Sequence, residues 1–95
     1  MPFAQKDLEM SHHEPSLFGL LVLSLGNAAL MSLGHMPDPA TNQISRDLEA
    51  ATHNIDLLIM LQEKTKTNLT TEEHQLLDGL LYDLRLKYVE AARKA

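Results

Sequence analysis

The stretch LFGLLVLSLGNAALMSLG, residues 17–34, contains no charged side chain. It constrains the fold more than any other feature, because so oily a segment must cross a membrane, be cleaved as a signal, or be buried in protein. Twelve of the seventeen residues from Leu17 to Leu33 are apolar, which reaches only the short limit of about 17–25 residues for a spanning helix. Ser24, Asn27 and Ser32 interrupt it with polar groups. No Lys or Arg lies between Lys6 and Arg46, so the basic flanks that orient a membrane helix are missing. Upstream, Asp7, Glu9 and Glu14 replace the basic region of a secretory signal. Burial in protein is therefore the expected fate, with membrane association through this helix as the alternative.

A helix that is apolar on every side must be surrounded by protein. Ser24, Ala28 and Ser32 recur every fourth residue and form a stripe of small side chains flanked by Leu21 and Leu25. Such a stripe admits another helix closely. Val22, Leu23, Leu30 and Leu33 occupy the other side. Asn27 is the most unusual polar residue here. It either pairs across an interface and sets register, or sits at a rim facing water.

The remaining pattern is helical. Aromatics make up 4% of the chain, so aliphatic side chains, chiefly leucine, must fill the core. Residues 1–15 read as a flexible N-terminal arm and 16–95 as a single helical domain. Ser16 is the expected N-cap of the first helix, and Gly34 followed by Pro37 and Pro39 its stop. HMPDPATNQ, residues 35–43, is expected to be a loop. The second helix starts near Ser45 or Asp47 and runs to about Lys66. Leu48, Ala51, Ile55, Leu58 and Ile59 form its core row, and Leu57, Met60 and Leu61 widen the apolar arc. Thr70-Thr71-Glu72-Glu73 matches a capping box. A third helix follows to about Arg93, with Leu77, Leu80, Leu81, Leu84, Tyr88 and Ala91 on one face. Asp83 with Lys87 and Glu90 with Lys94 are i,i+4 pairs that place the opposite face in water. Gly79 is read as a close helix crossing.

The fold class expected is all-α: an apolar first helix beside an antiparallel helix hairpin. Two helices cannot cover a third that is apolar all round, so the arrangement is expected to be completed by oligomerisation, with the first helix at the shared centre. The predicted oligomer interface is Leu21, Leu25, Asn27, Ala28 and Ser32.

Charge and composition narrow the function classes. A net charge of −5 argues against nucleic acid. The absence of cysteine removes disulfides, zinc–thiolate sites and thiol nucleophiles, and fits a cytoplasmic protein. No phosphate-binding glycine loop, nucleophile elbow or metalloprotease helix is present, so no enzyme and no cofactor are expected. Five histidines raise divalent-metal binding as a further alternative. Its weak candidates are Glu49, His53 and Asp56 on one helical row, with His12 and His13 in the arm. Asp56, which interrupts an apolar run, is expected to pair with a cation such as Arg85. The polar segment QEKTKTN, residues 62–68, is either a knob for an unidentified protein partner or a solvated helix end.

From residue 17 onward the chain resembles domain-of-unknown-function family 1844, a bacterial group of short helical proteins. The resemblance rests on LVLSL (21–25), AALMSLG (28–34) with PDP (37–39), IDLLIMLQEKTKTNLTTEE (55–73) and LLYDLRLKYV (80–89). Thr67 departs from the glycine expected before Asn68, which implies a stiffer turn. The resemblance implies a small helical protein and carries no activity and no catalytic residues.

Overall fold

The computed structural model describes residues 16–94, so the arm of residues 1–15, with its His12 and His13, lies outside it. Three helices form: α1 (Leu17–Ser32), α2 (Leu48–Lys64) and α3 (Thr71–Lys94). The all-α class is thus the observed one, and each helix packs against both others.

Each helix begins and ends where local chemistry directs. Ser16 caps α1 by accepting from the Gly19 N–H at 3.1 Å. At the other end Gly34 donates to Met31 O at 3.0 Å and His35 to Leu30 O at 2.9 Å. This paired closure requires a left-handed residue at its turn, and Gly34 supplies it with φ +84°. A Cβ there would strain the backbone, so Gly34→Ala is expected to lower stability by about 1 kcal/mol. Urea unfolding followed by circular dichroism measures it, and an unchanged midpoint would contradict the assignment.

The connection after α1 is more ordered than a plain loop. Asp38 O accepts from Thr41 at 3.2 Å and Asn42 at 2.6 Å, while Asp38 N donates to Gln43 O at 2.9 Å. The Asp38 carboxylate accepts from Ala40 N at 2.8 Å, and Asn42 takes φ 56°. Asn and Asp suit such turns because their short side chains satisfy nearby backbone groups. Asp47 then caps α2, accepting from Ala50 N at 3.1 Å. Its own N–H donates to Ser32 O at 2.7 Å, which ties the start of α2 to the end of α1.

The capping box at α3 forms reciprocally. Glu73 N donates to Thr70 Oγ1 at 3.1 Å, and Thr70 N to Glu73 Oε1 at 2.9 Å. Gln62 Nε2 donates to Asp78 Oδ1 at 2.6 Å, and Arg46 donates to Ala91 O at 3.4 Å. These bonds join the end of α2 to the start of α3 and the approach to α2 to the end of α3. The hairpin is therefore antiparallel, as its short connection predicts.

The core is aliphatic throughout. Val22, Leu58, Leu77, Leu81 and Leu84 are its largest fully buried side chains, and no polar or charged residue is buried among those described. α1 meets the core through Gly19, Val22, Gly26 and Ala29. The close approach is at Gly26, where a Cβ would stand 2.6 Å from Leu80 Cδ2. The expectation of a close crossing at Gly79 is corrected: a Cβ there would meet nothing within 4 Å. The glycine that admits a neighbouring helix lies on α1, and its signal was a glycine inside an apolar helix, where it costs helix stability unless packing needs it.

Candidate interaction surface

Among the described residues, α1 buries one face and leaves the other bare. Leu17 is 86%, Leu20 50% and Leu21 47% exposed, and Ser24 is exposed beside them. Their spacing of three and four residues puts these side chains on one strip. Leu21 is thus open, Ala28 and Ser32 are half-buried, and Leu25 packs partly against the core. Asn27 is exposed and lies three residues after Ser24 and seven after Leu20, so it continues the same open strip. Ser24 and Ser32 donate to Leu20 O and Ala28 O, each at 2.9 Å. Their hydroxyls are satisfied within the helix and leave the small-residue stripe without an unmet polar group. The leucines at 17 and 20 were missed as outward residues because an all-apolar helix has no periodicity from which to read its buried side.

α3 is two-faced. Asp83 and Lys87 pair at 2.6 Å as expected, but Glu90 and Lys94 do not pair with each other. The face opposite the core is not simply polar: Tyr82, Leu86 and Val89 are exposed on it. Their spacing in the sequence was the available signal.

The expected contact of Asp56 with Arg85 is also corrected. The two residues line one shallow groove of about 350 Å³ between α2 and α3, with Thr52, Ile55, Tyr88 and Val89. No ion pair joins them. In water such an exposed pair contributes little, so each can stay solvated. Nor do Glu49, His53 and Asp56 assemble a ligand set; all three stand exposed on α2. Among the described residues no group of three or more His, Asp or Glu side chains could hold a metal ion. Most of residues 62–68 is exposed, with Gln62 held to Asp78. No helix among the described residues is long and apolar enough to cross a membrane.

One carboxylate is electrostatically distinct. Glu73 accepts from the Ser16 hydroxyl as well as from Thr70, which clasps the start of α1 to the start of α3. The Ser16 bond, then the Thr70 backbone bond, holds the Glu73 carboxyl below its ordinary value of 4.5. A depressed carboxyl stabilises the fold above its unfolded pKa and loses that contribution as pH falls through the folded value. The melting temperature is therefore expected to fall as pH drops below about 4.5. Glu73→Gln should remove part of that fall; identical pH profiles for the two proteins would refute the clasp.

A family model described as Domain of unknown function (DUF1844) matches residues 15–90. No curated protein and no solved structure matches the chain. The matched span takes in all of α1 and α2 and most of α3. Since it covers well over half of the sequence, the chain belongs to the DUF1844 family.

Proposed function

We propose that this protein is a non-enzymatic, cytoplasmic helical interaction or scaffold protein that works as a homo-oligomer through the outer strip of α1. The observation that carries the reading is the exposure of Leu17, Leu20 and Leu21 beside a stripe of small residues. Covering that strip would remove about two leucine side chains' worth of apolar surface per copy from water, at about 1.5–3 kcal/mol each. Association itself costs about 4–15 kcal/mol, so these leucines do little more than offset it, and the contact is a weak, reversible one rather than a permanent one. The absence of cysteine accords with a reducing compartment. An unidentified protein partner could use the same strip, as other proteins use an apolar helix face.

Light scattering across a dilution series tests this. The wild type is expected to exceed the 10.6 kDa of one chain at the concentrated end of the series. Leu21→Glu should reduce the mass. A 10.6 kDa species at every concentration would overturn the proposal.

The exposed leucines also favour a second reading, in which α1 lies on a membrane surface. It predicts co-flotation with neutral phospholipid vesicles that Leu17→Glu abolishes. A chain that stays with the aqueous fraction would remove it.

A further inference from the structure

α3 carries a second row that no described residue covers. Tyr82 is 68%, Leu86 54% and Val89 51% exposed. With Gln75, Gly79 and Arg93, also exposed, they recur at alternating steps of four and three residues. That is the seam spacing of helices that pair along their length. The core residues Leu77, Leu81, Leu84 and Ala91 lie on the opposite side of α3. Gly79 leaves a gap in the outer row, since nothing stands within 4 Å of where its Cβ would be, and the protruding Tyr82 ring lies three residues on. A row holding both a gap and a knob is complementary to itself when a second copy is turned end for end.

We infer that α3 pairs antiparallel with α3 of a second copy, Tyr82 of each packing over Gly79 of the other. Charge selects this orientation and register. Asp78 and Arg85 flank the row on one side, and antiparallel pairing brings like flanks together. In the Gly79–Tyr82 register Asp78 of each copy reaches Arg85 of the other, twice by symmetry. Gln62 already holds the Asp78 carboxylate at the helix edge, at 2.6 Å, and a carboxylate has capacity for further donors. Sliding the pair so that Tyr82 meets Leu86 sets Arg85 against its own symmetry mate and Asp83 likewise. Parallel pairing brings Asp78 against Asp83 and crowds the two acidic starts, Glu72 and Glu73, together.

This contact does not depend on the α1 strip. Where both operate, two different self-complementary contacts build assemblies beyond a dimer; that larger size alone rests on the function proposed above.

Light scattering and sedimentation of the full chain separate the two contacts. Leu21→Glu should leave a dimer held by α3, and Leu86→Glu a dimer held by α1; far-ultraviolet dichroism confirms that these surface variants stay folded. In the Leu21→Glu background, Asp78→Arg should weaken dimerisation about tenfold, and Asp78→Arg with Arg85→Asp should restore it. A Leu86→Glu protein with the mass of the wild type would overturn the α3 contact while leaving the α1 proposal standing. A Leu21→Glu protein with the mass of the wild type would do the reverse. Failure of the charge exchange to restore dimerisation would overturn the register.

Discussion

Leu84→Ala is expected to cost about 3 kcal/mol, within the 2–5 kcal/mol typical of leucine truncation in a core. Leu84 is fully buried among the aliphatic side chains of the three helices. Removing its branch leaves a cavity that surrounding leucines fill only in part. A chain of this size has a total stability of about 5–14 kcal/mol, so the loss is a large fraction of what holds the fold. Leu86→Ala, two residues further along the same helix, is the matching control. Leu86 is exposed, and in dilute monomer its truncation should change stability by less than about 0.5 kcal/mol. Urea unfolding of the two variants gives the comparison directly. Equal losses would mean that α3 is rotated from the orientation described.

Gly26→Leu is expected to be comparably damaging for the opposite reason. Space is missing there rather than left empty: even a Cβ would lie 2.6 Å from Leu80 Cδ2 and 3.2 Å from Leu80 Cγ. A full leucine must push α1 away from α3 or force Leu80 into a poor rotamer, at a cost of about 1–3 kcal/mol or more. Displacing α1 would also strain the Ser16–Glu73 clasp at its start. The diagnostic result is rescue. Gly26→Ala with Leu80→Ala should lose less than the two single changes added together, because the truncated Leu80 vacates the volume that the new methyl needs. Strict additivity in thermal or urea melts would show that the two positions do not touch.

These two positions also show what kind of information each level of description holds. Leu84 belonged to a periodic row, Leu77, Leu81, Leu84 and Ala91, bounded by charged residues on α3, and its burial was legible from that contrast. Gly26 was not legible in the same way. On α1 nearly every residue is apolar, so no contrast marks a buried side, and the stripe Ser24–Ala28–Ser32 was as plausible a packing surface as Gly19–Gly26–Ala29. The second is the one the hairpin uses. The Asp56–Arg85 pairing failed for a related reason: both residues were assigned to the right helices, yet their heads stay apart across a groove, a matter of helix rotation that spacing does not contain. The outer row of α3 lay open in the spacing of Tyr82, Leu86 and Val89, but the neighbouring i,i+4 charge pairs pointed to a wet face.

Local chemistry was readable wherever a short-range rule governs. The caps at Ser16, Asp47 and Thr70, the stop at Gly34 and the reciprocal Thr70–Glu73 box all follow from groups within a few residues of one another. The amino-acid order by itself therefore determined three helices, their ends and their all-α class, because capping and turn formation are decided locally. Only the tertiary structure decided which side of α1 faces the hairpin, that Gly26 rather than Gly79 meets a neighbouring helix, and which leucines stay outside. Those outcomes depend on the relative rotation of helices whose packing faces meet only after the chain has folded back on itself.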